Sequence, residues 1–235
     1  MTNKINSNPT FYQRLKIFFR KKVNDVKNNW VDYLIKYVVF IGFFVILLFI
    51  DQFTKEFLFK KIDDPSSPSG FRGDTSYLYD YGFIGFRSVE HHGVTVIRNE
   101  ITTEWGFGFI HFISILLVFI IIFVPLFTNN YVYILIASTM LAGDLGNFID
   151  RIRFNNTVKD IIYSPFIEKW IGRNIGTFNF ADTYIISSIF CLVFYIFVRS
   201  FLLTSREDMQ EDNVINDLLV DPYIIESTKN QKRNI

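Results

Sequence analysis

Four stretches of this chain are apolar for about the twenty residues a helix needs to cross a bilayer core. They run from Tyr37 to Phe59, Phe107 to Phe127, Tyr131 to Ile149 and Phe178 to Val198. The first is charge-free through Ile50 and then carries Asp51 and Lys55. The second holds His111, the third Asp144, and the fourth Asp182 near its start. A helix in a soluble core is seldom apolar on every face for so long. The pattern predicts an all-α integral membrane protein with four transmembrane helices. Half of the 235 residues are hydrophobic, which fits.

Orientation follows the basic residues. Lys4, Arg14, Lys16, Arg20, Lys21, Lys22, Lys27 and Lys36 precede or border the first span. Positive residues beside a first span stay on the cytoplasmic side. Four spans then leave both termini cytoplasmic and put the loops at 60–106 and 150–177 outside. The expected organisation is a basic cytoplasmic tail over 1–36, a four-span membrane domain over 37–203 and a polar cytoplasmic tail over 204–235. The stretch Phe11–Val26 fits an amphipathic helix on the inner leaflet and a disordered basic tail equally well. No cleavable signal peptide is expected, because a long polar segment precedes the first apolar run. The short connection Thr128-Asn129-Asn130 predicts an antiparallel hairpin of the second and third spans. The first outer loop opens on the turn-rich stretch Asp63–Gly70 and continues in short β-type runs, notably Val94–Ile97, so a small β-rich extracytoplasmic cap is expected.

Several chemistries are poorly supplied. The aromatic residues lie inside the apolar runs rather than among basic patches, so no nucleic acid partner is expected. Cys191 is a lone cysteine in an apolar segment, and one cysteine makes neither an internal disulfide nor a zinc site. His91 and His92 are adjacent in a loop, without the helical spacing of a zinc motif. No G-x-S-x-G elbow is present. Neither metal nor cofactor is expected.

The polar groups at the ends of the spans carry the functional information, because charges within a membrane are costly and tend to mark sites. Asp51 and Lys55 lie four apart on one helix face and can pair; a snorkelling interfacial pair has the same spacing. Asn147, Asp150 and Arg151 share one face at the end of the third span. Asp160 lies between apolar neighbours in a segment returning toward the membrane. Asn179 and Asp182 open the fourth span, where a plain capping role also fits. By the topology above, all of these meet at the outer face. Two aspartates brought together in a poorly hydrated site share one proton, which makes one a base and the other an acid.

Taken as a set, the motifs resemble those of the lipoprotein signal peptidases, the type II signal peptidases of bacteria. Asp51-Gln52-Phe53-Thr54-Lys55 resembles the family's D-Q-x-T-K, and Gly146–Arg151 its G-N-x-x-D-R. Val158-Lys159-Asp160-Ile161 resembles V-x-D-F, and Phe178–Asp182 resembles F-N-x-A-D. The resemblance implies a catalytic dyad of Asp160 and Asp182, with Asp51, Lys55, Asn147, Asp150, Arg151 and Asn179 binding substrate or supporting the site. Asn99 is similar to the asparagine of a further family motif. It also implies an aspartic endopeptidase, in a bacterial plasma membrane, that cleaves diacylglyceryl-modified prolipoproteins before the lipidated cysteine. Membrane lipid would be its other partner, and a monomer is expected. The chain departs from the family pattern at Asp144, where a small residue is usual, at Ile161-Ile162, at Ile101 after Asn99, and at Thr177, where proline is common.

Two other classes share some of these features. A presenilin-type protease needs Tyr-Asp and G-x-G-D within its spans, and Gly143-Asp144 matches only part of the second. A non-enzymatic, transporter-like four-helix protein is the remaining alternative. Transporters tend to show repeated halves, and no repeat is visible.

Overall fold

A computed structural model describes residues 10–76, 78–92 and 104–220, with side chains through residue 204 except at 104. By its contacts the chain forms two compact units, Met1–Ser188 and Ile189–Ile235. Among the described residues four helices are long and apolar enough to cross a membrane: Trp30–Leu58, Trp105–Phe127, Tyr131–Arg153 and Phe180–Thr204.

Helix α1 (Phe11–Asn28) opens on Thr10, whose hydroxyl and the Gln13 side chain cap each other's backbone. Asn29 separates it from α2 (Trp30–Leu58), which starts a full two turns before the purely apolar run. Within this early part Lys36 is buried and donates to Asn129 Oδ1 at 2.5 Å. The second span is α3 (Glu104–Ile121) continued by the short α4 (Val124–Phe127), where Pro125 begins a new turn. Proline fits the first turn of a helix, where its missing N–H has no partner to lose. Asn130 caps α5 (Tyr131–Arg153) by accepting the Val132 N–H, so residues 128–130 make the tight hairpin that the sequence predicts. The short α6 (Pro165–Ile171) follows, and then α7 (Phe180–Val220). The expected polar tail after residue 204 is helical as far as Val220. No glycine or proline occurs from Phe180 to Val220, so nothing in that stretch breaks the helix.

The cap is built from two small antiparallel sheets. Strands β1 (Lys61–Asp63) and β2 (Phe71–Gly73) pair with each other. Strands β3 (Leu78–Asp80), β4 (Gly85–His92) and β5 (Thr157–Tyr163) form the second sheet in that order. The β-rich loop is therefore present, but β5, an edge strand of its larger sheet, comes from the second loop rather than the first. The run Val94–Ile97 lies outside the described residues.

Two apolar clusters hold the first unit together. Phe40, Ile121, Ile134, Ala137 and Leu141 join α2, α3 and α5. Ser138 reinforces that contact by donating to the Phe40 carbonyl at 2.8 Å. Phe59, Phe71, Ile161 and Ile162 fill the space between the cap and the helix ends. Elsewhere the spans present large apolar side chains outward, among them Phe49, Phe53, Phe57, Phe109, Phe112 and Phe119. In a membrane these faces meet lipid, where exposure carries no hydrophobic penalty.

Candidate active site

The chain is drawn into the site by two reversals. After α5, Asn155 and Asn156 adopt φ of 48° and 67°, a left-handed turn that asparagine tolerates better than most residues. The turn sends β5 straight back over the end of α5, and the Lys159 N–H reaches Asp150 Oδ2 at 3.4 Å. The second reversal ends at Phe178, which makes a backbone bridge to Ile162: its N–H donates to the Ile162 carbonyl at 2.8 Å and its carbonyl accepts the Ile162 N–H at 2.8 Å. That bridge sets Asn179 and the start of α7 beside Asp160.

The loop before Phe178 is fastened by a residue not singled out from the sequence. Arg87 on β4 donates to Thr177 Oγ1 at 2.6 Å and forms an ion pair with Glu168 at 2.8 Å. It also donates to the Gly176 carbonyl at 2.9 Å and lies 4.3 Å from the Tyr163 ring centroid. Thr177, standing where a proline is usual in the resembled pattern, thus holds its loop by a hydrogen bond.

Asp51 and Lys55 are not an interfacial pair: they are 0% and 2% exposed. The Lys55 ammonium has three hydrogens and three oxygen partners, Asp51 Oδ2 at 2.9 Å, Asp150 Oδ2 at 3.0 Å and Asn147 Oδ1 at 3.2 Å. Its desolvation is offset only because each N–H is matched. Asp51 Oδ1 accepts the Ala181 N–H at 2.8 Å, which pins the first turn of α7 to α2. Gln52, adjacent to Asp51, donates to Asp51 Oδ2 at 3.0 Å and to the Gly146 carbonyl at 3.1 Å. A glutamine at the end of an apolar run was the available sign of that role. Gly146 permits the approach: a Cβ there would lie 2.6 Å from Asp51 Oδ2.

The ammonium also fixes both amides of the site. Lysine can only donate, so the side of Asn147 facing it is Oδ1. Asn147 Nδ2 is therefore turned to Asp182 Oδ1, at 2.8 Å. Asn179 Oδ1 accepts the Asp182 N–H at 2.9 Å, so its Nδ2 faces the other way and donates to Asp160 Oδ1 at 2.8 Å and Asn147 Oδ1 at 3.1 Å. Asn179 is the N-cap of α7 and Asp182 the third residue of the helix; the Asn179 N–H closes the box on Asp182 Oδ2 at 3.4 Å. The capping role read from the sequence is real, and the same side chain joins the two aspartates.

Asp160 is 2% exposed on a fully buried strand. Burial, followed by the negative charge of Asp182, pushes its carboxyl well above the ordinary carboxylate range. Arg151 lies in the last turn of α5 and is partly buried. Asp144 accepts the Ser114 hydroxyl at 2.7 Å, which gives the additional carboxylate a partner across α3 and α5. The structure thus gathers Asp51, Lys55, Asn147, Asp150, Asp160, Asn179 and Asp182 into one connected network. Asn99 lies outside the described residues. His92 contacts Thr157 Oγ1 at 3.2 Å and His111 contacts Asn156 Oδ1 at 2.8 Å, both away from the aspartates' hydrogen bonds. Among the described residues no group of three or more His, Cys, Asp and Glu is placed to hold a metal ion. Two linked aspartates, one with its carboxyl pushed up by burial, can pass a proton between a water and a substrate.

Comparison with known proteins identifies relatives of the chain. A lipoprotein signal peptidase of Streptococcus agalactiae serotype Ia is 28% identical over 151 residues, covering 63% of this chain and 85% of the relative. One from Borrelia hermsii is 30% identical over 155 residues, covering 65% and 86%. A solved bacterial membrane enzyme shares the fold, with a TM-score of 0.52 at 19% identity over 68% of this chain and 88% of that one. Residues 43–198 match the family described as signal peptidase (SPase) II, a segment that includes all seven residues of the network, and the chain belongs to that family.

Proposed function

We propose that this protein is an aspartic endopeptidase that removes the signal peptide of diacylglyceryl-modified prolipoproteins, cleaving before the lipidated cysteine. The observation that carries the reading is the Asn179 side chain, bonded at once to Asp160 Oδ1 and to the Asp182 N–H. It holds two carboxylates of different environment in one site.

Asp160 holds the shared proton at rest, as its burial favours. Asp182 is the base of the pair: its carboxylate accepts the Asn147 amide and lies in the first turn of α7. Helix N-termini favour such an anion. The Asp182 carboxylate takes a proton from water as the oxygen attacks the scissile carbonyl. Asp160 donates to the developing oxyanion; as the C–N bond breaks, the proton gained by Asp182 passes to the leaving nitrogen and a diol hydroxyl returns a proton to Asp160, which restores the pair. Lys55, Asp51 and Asp150 touch no substrate in this scheme; they orient Asn147 and anchor α7.

The basic residues before and beside the first span support cytoplasmic termini and a site at the outer face of the plasma membrane. Lipid tails of the substrate would enter from the bilayer, where the spans expose apolar faces.

The test is cleavage of a diacylglyceryl-modified prolipoprotein by purified protein, beside Asp160→Asn and Asp182→Asn. Cleavage before the lipidated cysteine by the parent, reduced at least about a thousand-fold in each folded variant, is the expected result. Full turnover by either variant would overturn the dyad. No cleavage by folded parent protein would overturn the activity.

A further inference from the structure

Helix α1 precedes the family match, which begins at residue 43, and contributes nothing to the site. On a helical projection, Phe18, Phe11, Leu15, Val26, Phe19, Tyr12 and Val23 occupy one continuous arc. Lys16, Lys27 and Arg20 border one edge of that arc; at the other edge Asp25 comes first, followed by Arg14 and Lys21. Asp25 is the helix's single acidic residue. Much of the apolar arc is uncovered: Phe11 is 81%, Tyr12 73% and Phe19 54% exposed.

Contacts within the chain fix where this arc lies. Phe18 stacks on Phe127 with ring centroids 6.3 Å apart and an interplanar angle of 7°. Phe127 is the last residue of α4 and of the second span. Lys22, the one basic residue within the arc, donates to Tyr33 Oη at 2.7 Å, and Tyr33 donates to Asp25 at 2.5 Å. The apolar arc therefore faces the level at which a span leaves the hydrocarbon, at the end of α2 opposite Asp51 and Lys55. A single residue, Asn29, joins α1 to α2, so the helix cannot leave that level.

We propose that α1 is an interfacial helix that binds anionic phospholipid, its apolar arc in the acyl boundary and its bordering arginines and lysines on headgroup phosphates. The bordering charge selects the anionic lipid: an apolar arc alone partitions into any bilayer, whereas basic residues beside it add attraction for a negative surface. This goes beyond the peptidase reading and does not depend on it.

The test uses the full chain with Cys191→Ser, bearing a polarity-sensitive nitrobenzoxadiazole label at Tyr12→Cys or at Asn24→Cys on the polar face. The protein is reconstituted at one copy per nanodisc, in phosphatidylcholine or in an equimolar mixture with phosphatidylglycerol. The expected result is a blue-shifted, doxyl-lipid-quenched label at position 12, strongest in the anionic discs, with position 24 water-like in both. Replacing Arg14, Lys16, Arg20 and Lys21 with glutamine should remove the difference between the two lipids. Equal signals at positions 12 and 24 would overturn the interfacial placement. Equal signals at position 12 in both lipids would overturn the anionic preference. Protection that appears only when discs hold two copies would assign the arc to a second chain instead.

Discussion

Asn179 donates its side-chain amide to Asp160 Oδ1 at 2.8 Å, across the junction between β5 and the start of α7. The same residue caps α7 through its other amide atom. One side chain thus serves the fold and the chemistry, and the two services are separable by mutation.

Asn179→Ala should remove both. A lost N-cap costs about 1 kcal/mol, and the proposed dyad loses the donor that holds Asp160. Asn179→Ser keeps an oxygen for the helix N-terminus but supplies no amide reaching Asp160. The expected outcome is that Ser recovers the thermal stability lost in Ala, measured in detergent, while kcat stays low in both. Recovery of kcat together with stability by Ser would mean that capping is the whole role.

The second prediction concerns pH. The Asp160 carboxyl is raised above its ordinary value of 3.8, first by burial and then by the charge of Asp182. A raised acid stabilises the folded state below its unfolded pKa, and that contribution is lost as pH climbs through the folded value. Thermal stability should therefore fall as pH rises above about 4, until Asp160 has ionised. Asp160→Asn should lack that component of the slope. In the parent, turnover should decline on the alkaline side as the shared proton is lost. A pH–kcat profile and a pH series of melting curves check the two limbs separately.

Lys55→Met should be among the most damaging single changes. It leaves Asp51 and Asp150 buried with no cation at 3 Å and frees the amide of Asn147 to turn. Breaking a buried pair from one side costs about 3–5 kcal/mol. The measurement is the fraction of folded protein recovered in detergent and its melting midpoint. A near-native midpoint would mean that the three bonds to the ammonium are energetically neutral.

Gly146→Ala tests the close approach of α5, α2 and α7. The added Cβ would lie 2.6 Å from Asp51 Oδ2 and 3.0 Å from the Ala181 Cβ, and the helices must part to admit it. Overpacking of this kind costs about 1–3 kcal/mol, and cleavage should fall further because α7 carries Asp182. Gly42→Ala, in the same bundle, meets nothing within 4 Å. It should instead gain up to about 1 kcal/mol from helix propensity.

The spans were legible because crossing a bilayer demands an unbroken apolar run, and such a run is a local property of sequence. The polar motifs were legible because charge beside those runs is conspicuous. Their pairing was not. Residue spacing relates Asp51 to Lys55 within one helix, yet Lys55 also meets Asp150 and Asn147, which α5 supplies from far along the chain. Arg87 stood in a loop with no distinguishing pattern, and its partners Glu168, Thr177 and Gly176 become neighbours only once β4 and β5 are paired. Nor did local pattern decide whether Phe11–Val26 folds. Its apolar arc and basic borders were visible, but the stack of Phe18 on Phe127 belongs to the tertiary structure. The sequence by itself determined where the chain must be helical and which polar groups had to be explained. Tertiary structure decided which of them meet, because hydrogen bonds and ion pairs depend on distances of a few ångströms that linear spacing does not encode across separate elements.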